Sequence, residues 1–291
     1  MHTLLEIIKR TTEFLVGKGV ESARLNAELL IGHALERKRM QLYMEFERPL
    51  TEAELEKIRP LIRRRAQREP LQYIIGETDF GGLRLKVDRR ALIPRPETEF
   101  LIELLVVRYA GLEAPRRILD LGTGSGAIAL ALAVAFPLAE VVAVDASLAA
   151  LSLAQENASK TGLADRVRIF QSDWYESVER SEFDLIVSNP PYLTEAETAQ
   201  TALEVRGFEP RQALIAAEDG LADLAKILAG APLYLSGSGV LALETGITQH
   251  EKIKVLATNA GFGRTEGQRD LAGRERFIFA SRGGFNTSSL I

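Results

Sequence analysis

The segment Asn189-Pro190-Pro191-Tyr192 brings together residue types that suit a planar group carrying an NH2. Two successive prolines fix the backbone φ angle and lack N–H donors, so the carbonyl oxygens of the segment are left as acceptors. Asn189 adds a side-chain carbonyl oxygen, and Tyr192 adds an aromatic face. Two acceptors would hold the two hydrogens of the NH2 while the ring covers its face. The segment therefore predicts a pocket for such a planar nitrogen.

A glycine-rich segment at residues 120–127 lies between a predicted strand and a predicted helix. Its glycines allow the backbone to approach a ligand closely. Asp145 ends the next predicted strand, roughly 20 residues later, where an acidic residue can accept hydrogen bonds from both hydroxyl groups of a ribose. Because Gly122, Gly124 and Ala127 also fit the dinucleotide-binding pattern, the segment predicts an adenosine-containing cofactor without identifying it.

Residues 172–174 follow the third predicted strand and would lie beside the same cofactor. Asp173 could accept a hydrogen bond from an adenine amino group, and Trp174 could stack on the adenine ring. The alternative for Trp174 is a core aromatic residue, since tryptophan is often largely buried.

An alternation of strand and helix patterns positions these residues. Strands are predicted at 117–121, 140–145, 167–171, 183–188 and 239–244, with a late pair near 261–268 and 276–280, and helices at about 126–135 and 147–161. Such alternation predicts a parallel sheet covered on both faces. Ligands of such sheets bind at the carboxyl ends of the strands, which is where the segments described above lie.

The first part of the chain, residues 1–70, has apolar residues at helical spacing and no pattern of a nucleotide site. Ser22 is predicted to cap its second helix, and Thr51 facing Glu54 predicts a capping box at the start of a later one. That later helix ends in an arginine run at 63–65. We interpret the run as a solvated helix end that favours the helix dipole, with a contact to RNA or to an acidic partner as the alternative.

The pattern changes to that of a β-hairpin between the two parts of the chain. Residues 73–76 and 83–87 alternate apolar and polar side chains on either side of Gly81 and Gly82. Two prolines in the segment 93–97 are predicted to prevent regular structure there. The predicted domains are a helical domain at 1–70, a hairpin linker at 71–95, a catalytic domain at 96–281 and a polar tail at 282–291.

The composition of the 291 residues is that of an ordinary globular protein, with 46% hydrophobic and 26% charged residues. The chain has no cysteine and only 3 histidines, which excludes disulfides and argues against a metal site. No apolar run reaches the length of a membrane span, and the N-terminus does not read as a signal peptide. The net charge of −4 argues against a stable nucleic-acid partner. We therefore expect a cytoplasmic protein without a metal or a membrane partner.

The segment 189–192, with the glycine-rich segment upstream, resembles the S-adenosylmethionine-dependent methyltransferases that modify planar nitrogens. Further segments are similar to the peptide chain release factor glutamine methyltransferases, the PrmC/HemK family, and they lie at 25–30, 64–73, 93–99, 208–214, 218–221 and 270–277. The resemblance covers about residues 1–281. Phe208 stands where the family often has tyrosine, and residues 283–291 have no counterpart in the family.

This resemblance implies an α/β fold with a Rossmann-like, mostly parallel seven-stranded sheet and a small N-terminal helical domain joined by a β-hairpin. It implies S-adenosylmethionine as the cofactor, S-adenosylhomocysteine as its product, and peptide chain release factors as the protein partners that the helical domain recognises. The expected reaction is methylation of the N5 side-chain amide nitrogen of the glutamine in a Gly-Gly-Gln motif.

The resemblance also implies roles for individual residues. Those expected to bind the cofactor are Gly122, Thr123, Gly124, Ser125, Gly126, Asp145, Asp173, Trp174 and Asn189. Those expected to bind the substrate are Asn189, Pro190, Pro191 and Tyr192, of which Asn189, Pro190 and Tyr192 are expected to be catalytic. The segment 94–99 is expected to form a loop that covers the cofactor.

A nucleic-acid methyltransferase acting on adenine N6 or guanine N2 is the main alternative, because each of these targets is an NH2 on a planar system. Residues 91–291 hold 18 Lys and Arg against 26 Asp and Glu, and this acidic balance argues against it, as does the lack of a recognisable target-recognition domain. A nicotinamide-dependent dehydrogenase would not explain the Asn-Pro-Pro-Tyr segment. A non-catalytic adaptor that only binds a release factor would not need intact motifs.

Overall fold

The computed structural model describes residues 2–111 and 113–283. The chain divides into two compact units, the first formed by Met1–Glu77 with Ala202–Phe208 and the second by Thr78–Thr201 with Glu209–Ile291. The first unit extends beyond the helical domain predicted at 1–70. It also includes Ala202–Phe208, a segment that no local sequence pattern links to residues 1–70. From residue 284 onward the predicted polar tail lies outside the described residues.

The helices are α1 (Leu4–Gly17), α2 (Ala23–Leu35), α3 (Arg39–Met44), α4 (Glu52–Ala66), α5 (Leu71–Ile75), α6 (Pro96–Tyr109), α7 (Ala127–Ala135), α8 (Leu148–Lys160), α9 (Glu195–Gln200), α10 (Leu203–Phe208), α11 (Ala217–Gly220), α12 (Ala222–Gly230) and α13 (His250–Asn259). The strands are β1 (Glu77–Phe80), β2 (Leu83–Lys86), β3 (Arg117–Leu121), β4 (Glu140–Asp145), β5 (Val167–Gln171), β6 (Phe183–Ser188), β7 (Leu235–Glu244), β8 (Arg264–Arg269) and β9 (Glu275–Ser281). Short 3-10 turns lie at Arg211–Ala213 and Ala231–Leu233.

Capping interactions explain where helices of the first unit begin. Thr51 Oγ1 accepts a hydrogen bond from the Glu54 backbone N–H, and the Glu54 carboxylate accepts one from the Thr51 N–H, which confirms the predicted capping box of α4. The predicted Ser22 cap is wrong, because Ser22 has a left-handed backbone with φ 48° and its side chain makes no capping bond. Asn26 Nδ2 instead donates to the carbonyls of Glu21 and Ser22, which fixes the chain directly before α2 without capping the helix N–H groups.

The arginine run at the end of α4 belongs to a network of ion pairs within the first unit. Arg65 is only 5% exposed, and it donates to Asn26 Oδ1 at 2.7 Å and to Glu204 Oε1 at 2.8 Å. Arg68 donates two further bonds, each of 2.7 Å, to the same Glu204 carboxylate. The prediction of a solvated helix end is therefore wrong for Arg65, which holds α10 in the first unit.

The β-hairpin lies later in the chain than the sequence predicts. Residues 73–76 are predicted as its first strand, but they form the end and the cap of α5. Gly76, with a left-handed φ of 86°, ends this helix by donating its N–H to the Gln72 carbonyl. The first strand is β1, and Gly81 and Gly82 connect it to β2. The error arises because so short an apolar run has no periodicity that separates a strand from a helix.

Pro96 also differs from its prediction. It is the first residue of α6 rather than part of an irregular segment. Proline is well tolerated at this position because the N–H it lacks would have no partner within the helix. Residues 92–95, directly before it, do remain irregular.

The second unit is built on a seven-stranded sheet of order β5-β4-β3-β6-β7-β9-β8. Strands β5, β4, β3, β6 and β7 run parallel, and β9 pairs antiparallel with both β7 and β8. This confirms the predicted mostly parallel, Rossmann-like sheet. The pairing places the carboxyl ends of β3, β4, β6 and β7 at one edge, where Leu121, Asp145, Ser188 and Glu244 end their strands.

Apolar side chains fill both faces of this sheet. On one face α6 and α7 pack through buried side chains that include Leu101, Leu105 and Leu130. On the other face α12 and α13 pack through Leu224 and Ile253. Because both faces are covered, polar side chains that can do chemistry are confined to the ends of the strands.

Candidate active site

A cavity of about 420 Å³ opens at the carboxyl ends of the parallel strands in the second unit. This volume is within the range of small-molecule sites, roughly 300–1,000 Å³. Of the residues predicted to bind cofactor or substrate, those lining the cavity are Gly122, Thr123, Gly124, Ser125, Asp145, Asp173, Trp174, Asn189 and Pro191. The order of the strands thus brings together residues that lie in four separate segments of the chain.

Three predicted site residues that the structure describes, Gly126, Pro190 and Tyr192, lie outside the wall of this cavity. Gly126 is in close contact with α8, since a Cβ added to it would come within 3.3 Å of Ala154 Cβ. Pro190 is buried, and the Tyr192 ring packs against the apolar core. The predicted contacts of these three residues with cofactor or substrate stay predictions.

Asp145 fixes the glycine-rich turn from the neighbouring strand. Gly122 and Gly124 have left-handed φ angles of 71° and 57°, which favour glycine. Asp145 Oδ2 accepts a hydrogen bond of 2.8 Å from the Gly124 N–H, and its Oδ1 accepts one of 2.8 Å from the Ser147 N–H. Burial raises the pKa of Asp145, and the two backbone N–H groups oppose that rise. The carboxylate is therefore held in place at the cavity wall.

Asp120 supports the same turn from the interior, although sequence reasoning assigns it no role. It is fully buried, and its Oδ2 accepts hydrogen bonds from the Thr123 hydroxyl at 2.6 Å and the Ala129 N–H at 3.1 Å. Burial raises the pKa of Asp120 to about 7, even though both hydrogen bonds lower it. Its Oδ1 is buried and has no hydrogen-bond partner among the described residues.

Trp174 both lines the cavity and packs against the apolar core. Its backbone is left-handed, with φ 48°, a conformation that costs energy for a bulky residue. Its indole lies beside the glycine turn, since a Cβ on Gly122 would be 3.4 Å from Trp174 Cζ3.

Asp223, which sequence reasoning missed, also lines the cavity. Burial raises the pKa of Asp223 against the charge of Lys226 and a hydrogen bond with Trp174.

Asn189 is held by side chains that sequence reasoning did not single out. Its Nδ2 donates a hydrogen bond of 3.0 Å to Thr98 Oγ1. The Thr98 hydroxyl in turn donates to Glu244 Oε2 at 2.6 Å. Because one N–H of the Asn189 amide is directed to Thr98, its carbonyl oxygen Oδ1 points away from Thr98, and Asn189 lines the cavity.

Glu244 also connects this group to Tyr192. The Tyr192 hydroxyl donates to Glu244 Oε1 at 3.1 Å, and Arg276 Nη1 donates to the Tyr192 hydroxyl oxygen at 3.3 Å. Burial raises the pKa values of both Glu244 and Tyr192. One signal could have found Glu244 in the sequence: it is a carboxylate at the carboxyl end of a predicted strand.

The segment 94–99, predicted as a loop over the cofactor, contributes Pro94, Arg95 and Thr98 to the cavity wall. From residue 96 onward the segment is the first turn of α6 rather than a loop. Arg95 donates a hydrogen bond of 2.6 Å to the buried carboxylate of Glu209. Because Glu209 lies far along the chain, this pair was also missed by sequence reasoning.

Within residues 2–111 and 113–283, no group of three or more His, Asp or Glu side chains is arranged to hold a metal ion. The helices of these two ranges are each too short or too polar to cross a membrane.

Two parts of the chain match the models of known protein families. Residues 6–76 match the PrmC N-terminal domain, and residues 96–207 match the methyltransferase small domain. The first match covers most of α1 and all of α2 to α5, and the second covers β4, which ends at Asp145, and β6, which ends directly before Asn189.

The fold is similar to that of a solved methyltransferase, the T. Thermophilus 16S rRNA N2 G1207 methyltransferase in complex with AdoMet and guanosine. The TM-score is 0.53, with 24% identity over 71% of this chain and 50% of that chain. At this identity the similarity supports the fold alone.

Relatives with assigned names match over most of their length. The release factor glutamine methyltransferase of Chlorobaculum tepidum is 45% identical over 250 residues, which are 83% of this chain and 85% of that protein. The release factor glutamine methyltransferase of Geobacter sulfurreducens is 42% identical over 276 residues, which are 95% of each. These identities confirm the resemblance found in the sequence, and the chain therefore belongs to the release factor glutamine methyltransferases.

Proposed function

We propose that this chain transfers a methyl group from S-adenosylmethionine to the N5 atom of the glutamine in the Gly-Gly-Gln motif of peptide chain release factors. Membership of the family supports the substrate. The observation that carries the proposal is the amide of Asn189, whose NH2 is held by Thr98 and which lines a cavity that the glycine turn and Asp145 also line. An acceptor for an NH2 and a wall suited to adenosine thus share one cavity.

We assign the cofactor to the wall formed by the glycine turn, Asp145, Asp173 and Trp174. Each carboxylate oxygen of Asp145 accepts one backbone N–H, and a carboxylate has about four acceptor positions, so acceptors remain for ribose hydroxyls. The Trp174 indole offers a face for adenine, and Asp173 offers an acceptor for its amino group. The acceptors and the aromatic face of this wall, together with the volume of the cavity, fit an adenosine cofactor.

The protein must overcome the weakness of an amide nitrogen as a nucleophile, because resonance with the carbonyl withdraws its lone pair. Asn189 Oδ1 and a carbonyl oxygen of the proline segment would accept the two hydrogens of the NH2 and orient the nitrogen. The same acceptors would stabilise the positive charge that develops on it. When bound, S-adenosylmethionine supplies a methyl group on a positively charged sulfur with a neutral leaving group. The products are N5-methylglutamine, S-adenosylhomocysteine and a proton.

We further propose that the helical first unit recognises the release factor as a whole. One glutamine side chain is too small to distinguish a release factor from other proteins, so a second contact surface is needed. The first unit exposes large apolar side chains, above all Met40 and Met44, which are 68% and 83% exposed. The two side chains are four residues apart on α3 and so lie on one face of it, and exposed apolar surface is typical of sites of protein contact. A cytoplasmic location follows from this substrate, since release factors act in translation.

Incubation with radiolabelled S-adenosylmethionine tests the proposed reaction. The reaction mixtures contain a release factor, a variant of it whose motif glutamine is replaced by alanine, ribosomal RNA, or DNA. We expect label in the release factor and none in the other three. Label in the nucleic acids but not in the release factor would reject the proposal in favour of the nucleic-acid alternative.

A further inference from the structure

A buried carboxylate lies behind the Asn189 amide without lining the cavity. Glu244 is 2% exposed and Thr98 is 4% exposed. Asn189 Nδ2 donates to Thr98 Oγ1 at 3.0 Å, and Thr98 Oγ1 donates to Glu244 Oε2 at 2.6 Å. The three side chains therefore form one chain of hydrogen bonds that runs from the interior to the cavity.

The order of donors and acceptors in this chain fixes which way the amide points. A threonine hydroxyl has one proton, and here that proton is used on the carboxylate of Glu244. Only the lone pairs of Thr98 Oγ1 remain for Asn189, so Asn189 must present its NH2 to Thr98. The opposite amide orientation would place two acceptors, Thr98 Oγ1 and Asn189 Oδ1, against each other. The carbonyl oxygen is therefore directed away from Thr98.

The same carboxylate holds the other end of the Asn-Pro-Pro-Tyr segment. Its second oxygen, Glu244 Oε1, accepts the Tyr192 hydroxyl at 3.1 Å. The Arg276 guanidinium donates to that hydroxyl oxygen at 3.3 Å and lies 5.9 Å from the centre of the Tyr192 ring. Each oxygen of Glu244 is thus connected to one end of the segment, and burial keeps water from competing for either bond.

We infer that Glu244 and Thr98 are positioning residues for methyl transfer, because they hold the Asn189 amide with its oxygen toward the nitrogen that is methylated. This inference rests on the proposed function, in which Asn189 Oδ1 accepts a hydrogen of the substrate NH2. The effect belongs to the chemical step, since a misdirected acceptor fails to stabilise charge that develops only in the transition state. Most of the contacts proposed for the cofactor and for the release factor lie elsewhere, in the wall formed by the glycine turn, Asp145 and Trp174 and on the first unit.

Two variants at one position test the inference. Thr98→Val keeps the shape of the side chain but removes the hydroxyl, and Thr98→Ser keeps the hydroxyl. We expect Thr98→Val to lower kcat at least about tenfold, because misplacement of a reacting group is costly. The KM for the release factor and the calorimetric Kd for S-adenosylmethionine should stay within about twofold, as expected for an interaction made only in the transition state. Thr98→Ser should restore most of the wild-type kcat.

A double-mutant cycle tests whether Thr98 acts through Asn189. In the Asn189→Ala background no amide remains to be oriented, so adding Thr98→Val should lower kcat no further. Glu244→Gln serves as the second variant if Thr98→Val does not fold. The hydroxyls of Thr98 and Tyr192 both donate to the native carboxylate, so the NH2 of the new glutamine must face one of these two donors. We therefore expect Glu244→Gln also to lower kcat, while the Kd for S-adenosylmethionine stays unchanged.

Equal kcat values for Thr98→Val and Thr98→Ser would overturn the positioning role, and so would fully additive losses in the double variant. Either result would leave the proposed function in place, because the wild-type protein would still methylate the release factor. Failure of the wild-type protein to methylate any release factor would overturn the proposed function itself, and the positioning role with it.

Discussion

The Gly124 backbone N–H donates a hydrogen bond of 2.8 Å to Asp145 Oδ2, so the acid at the end of β4 is tied to the glycine turn after β3. The other carboxylate oxygen accepts the Ser147 N–H, which belongs to the residue before α8. One side chain therefore sets the spacing of two adjacent strand ends. The same side chain is the acid that we assign to the ribose of the cofactor.

Asp145→Ala should weaken binding of S-adenosylmethionine at least tenfold. The variant loses charge-assisted hydrogen bonds to the ribose, each contributing roughly 1.5–3 kcal/mol, as well as the bond that shapes the turn. Isothermal titration calorimetry measures the change. Asp165→Ala is the matched control, because Asp165 is an exposed carboxylate of the same unit, and its Kd should equal that of the wild type. Unchanged affinity in Asp145→Ala would remove this residue from the cofactor site.

Asn189→Ala should lower kcat on the order of 100-fold while the protein stays folded. The reason is that loss of one preorganised polar group acting on the transition state has typically this effect. Steady-state kinetics with the release factor measures kcat and KM, and circular dichroism checks the fold. A variant with near-normal turnover would contradict the role of Asn189 as the acceptor for the substrate NH2.

Tyr192→Phe should reduce both stability and kcat, although the substitution keeps the aromatic ring. The sequence suggested that only the ring matters, but the hydroxyl donates to the buried Glu244. Removing one partner of a buried polar group costs about 1–3 kcal/mol. Tyr234→Phe is the control, since the Tyr234 hydroxyl donates to the neutral carbonyl of Tyr175. Chemical denaturation and kcat should both distinguish the two variants, and identical behaviour would mean that the bond to Glu244 is unimportant.

Asp120→Asn should remove a pH dependence of stability that the wild type shows. Burial raises the pKa of Asp120 from 3.8 to about 7, so the folded state keeps a proton that the unfolded state has lost. As the pH rises from about 4 to about 7, the wild type should therefore lose stability relative to the variant, with no further loss at higher pH. At about 1.4 kcal/mol per pKa unit the difference amounts to about 4 kcal/mol.

Urea unfolding of both Asp120 proteins without cofactor, at several pH values across this range, measures the difference. Comparing wild type with variant cancels the other titrating groups. Free energies of unfolding that stay parallel over the whole range would show that the Asp120 carboxyl titrates normally in the folded state.

Replacing Met40 and Met44 together by serine should raise the KM for an intact release factor without changing kcat. Loss of binding that is equal in the ground state and the transition state changes KM alone. A short Gly-Gly-Gln peptide, which lacks the rest of the release factor, should be methylated equally poorly by both proteins. Unchanged KM for the intact release factor would show that this surface of the first unit does not recognise it.

Most helices and strands of the second unit could be predicted because their signal is local. Strands β3, β4 and β6 are short apolar runs, and each is followed by the glycine, acidic or proline residues of the candidate site. The same local reading fails for α5, whose five residues are too few to show a period. The positions of the cavity-lining residues followed from a single rule, that ligands bind where parallel strands end.

The partners of the site residues could not be predicted, because the pairs are distant in sequence. Thr98 and Glu244 are 146 residues apart, and Arg65 and Glu204 are 139 residues apart. Pairings over such distances are set by the strand order and by tertiary packing, and neither leaves a local pattern in the chain. The orientation of Asn189 was invisible for the same reason, since it depends on a hydroxyl that arrives from α6.

Tandem mass spectrometry of a release factor, after incubation with this protein and S-adenosylmethionine, tests the central claim most directly. We predict that the peptide containing Gly-Gly-Gln gains the mass of one methyl substitution, that fragment ions place it on the glutamine side chain, and that Asn189→Ala leaves the peptide almost unmodified. An unmodified glutamine after prolonged incubation with the wild-type protein, with or without a methyl group elsewhere in the release factor, would contradict glutamine N5 as the target.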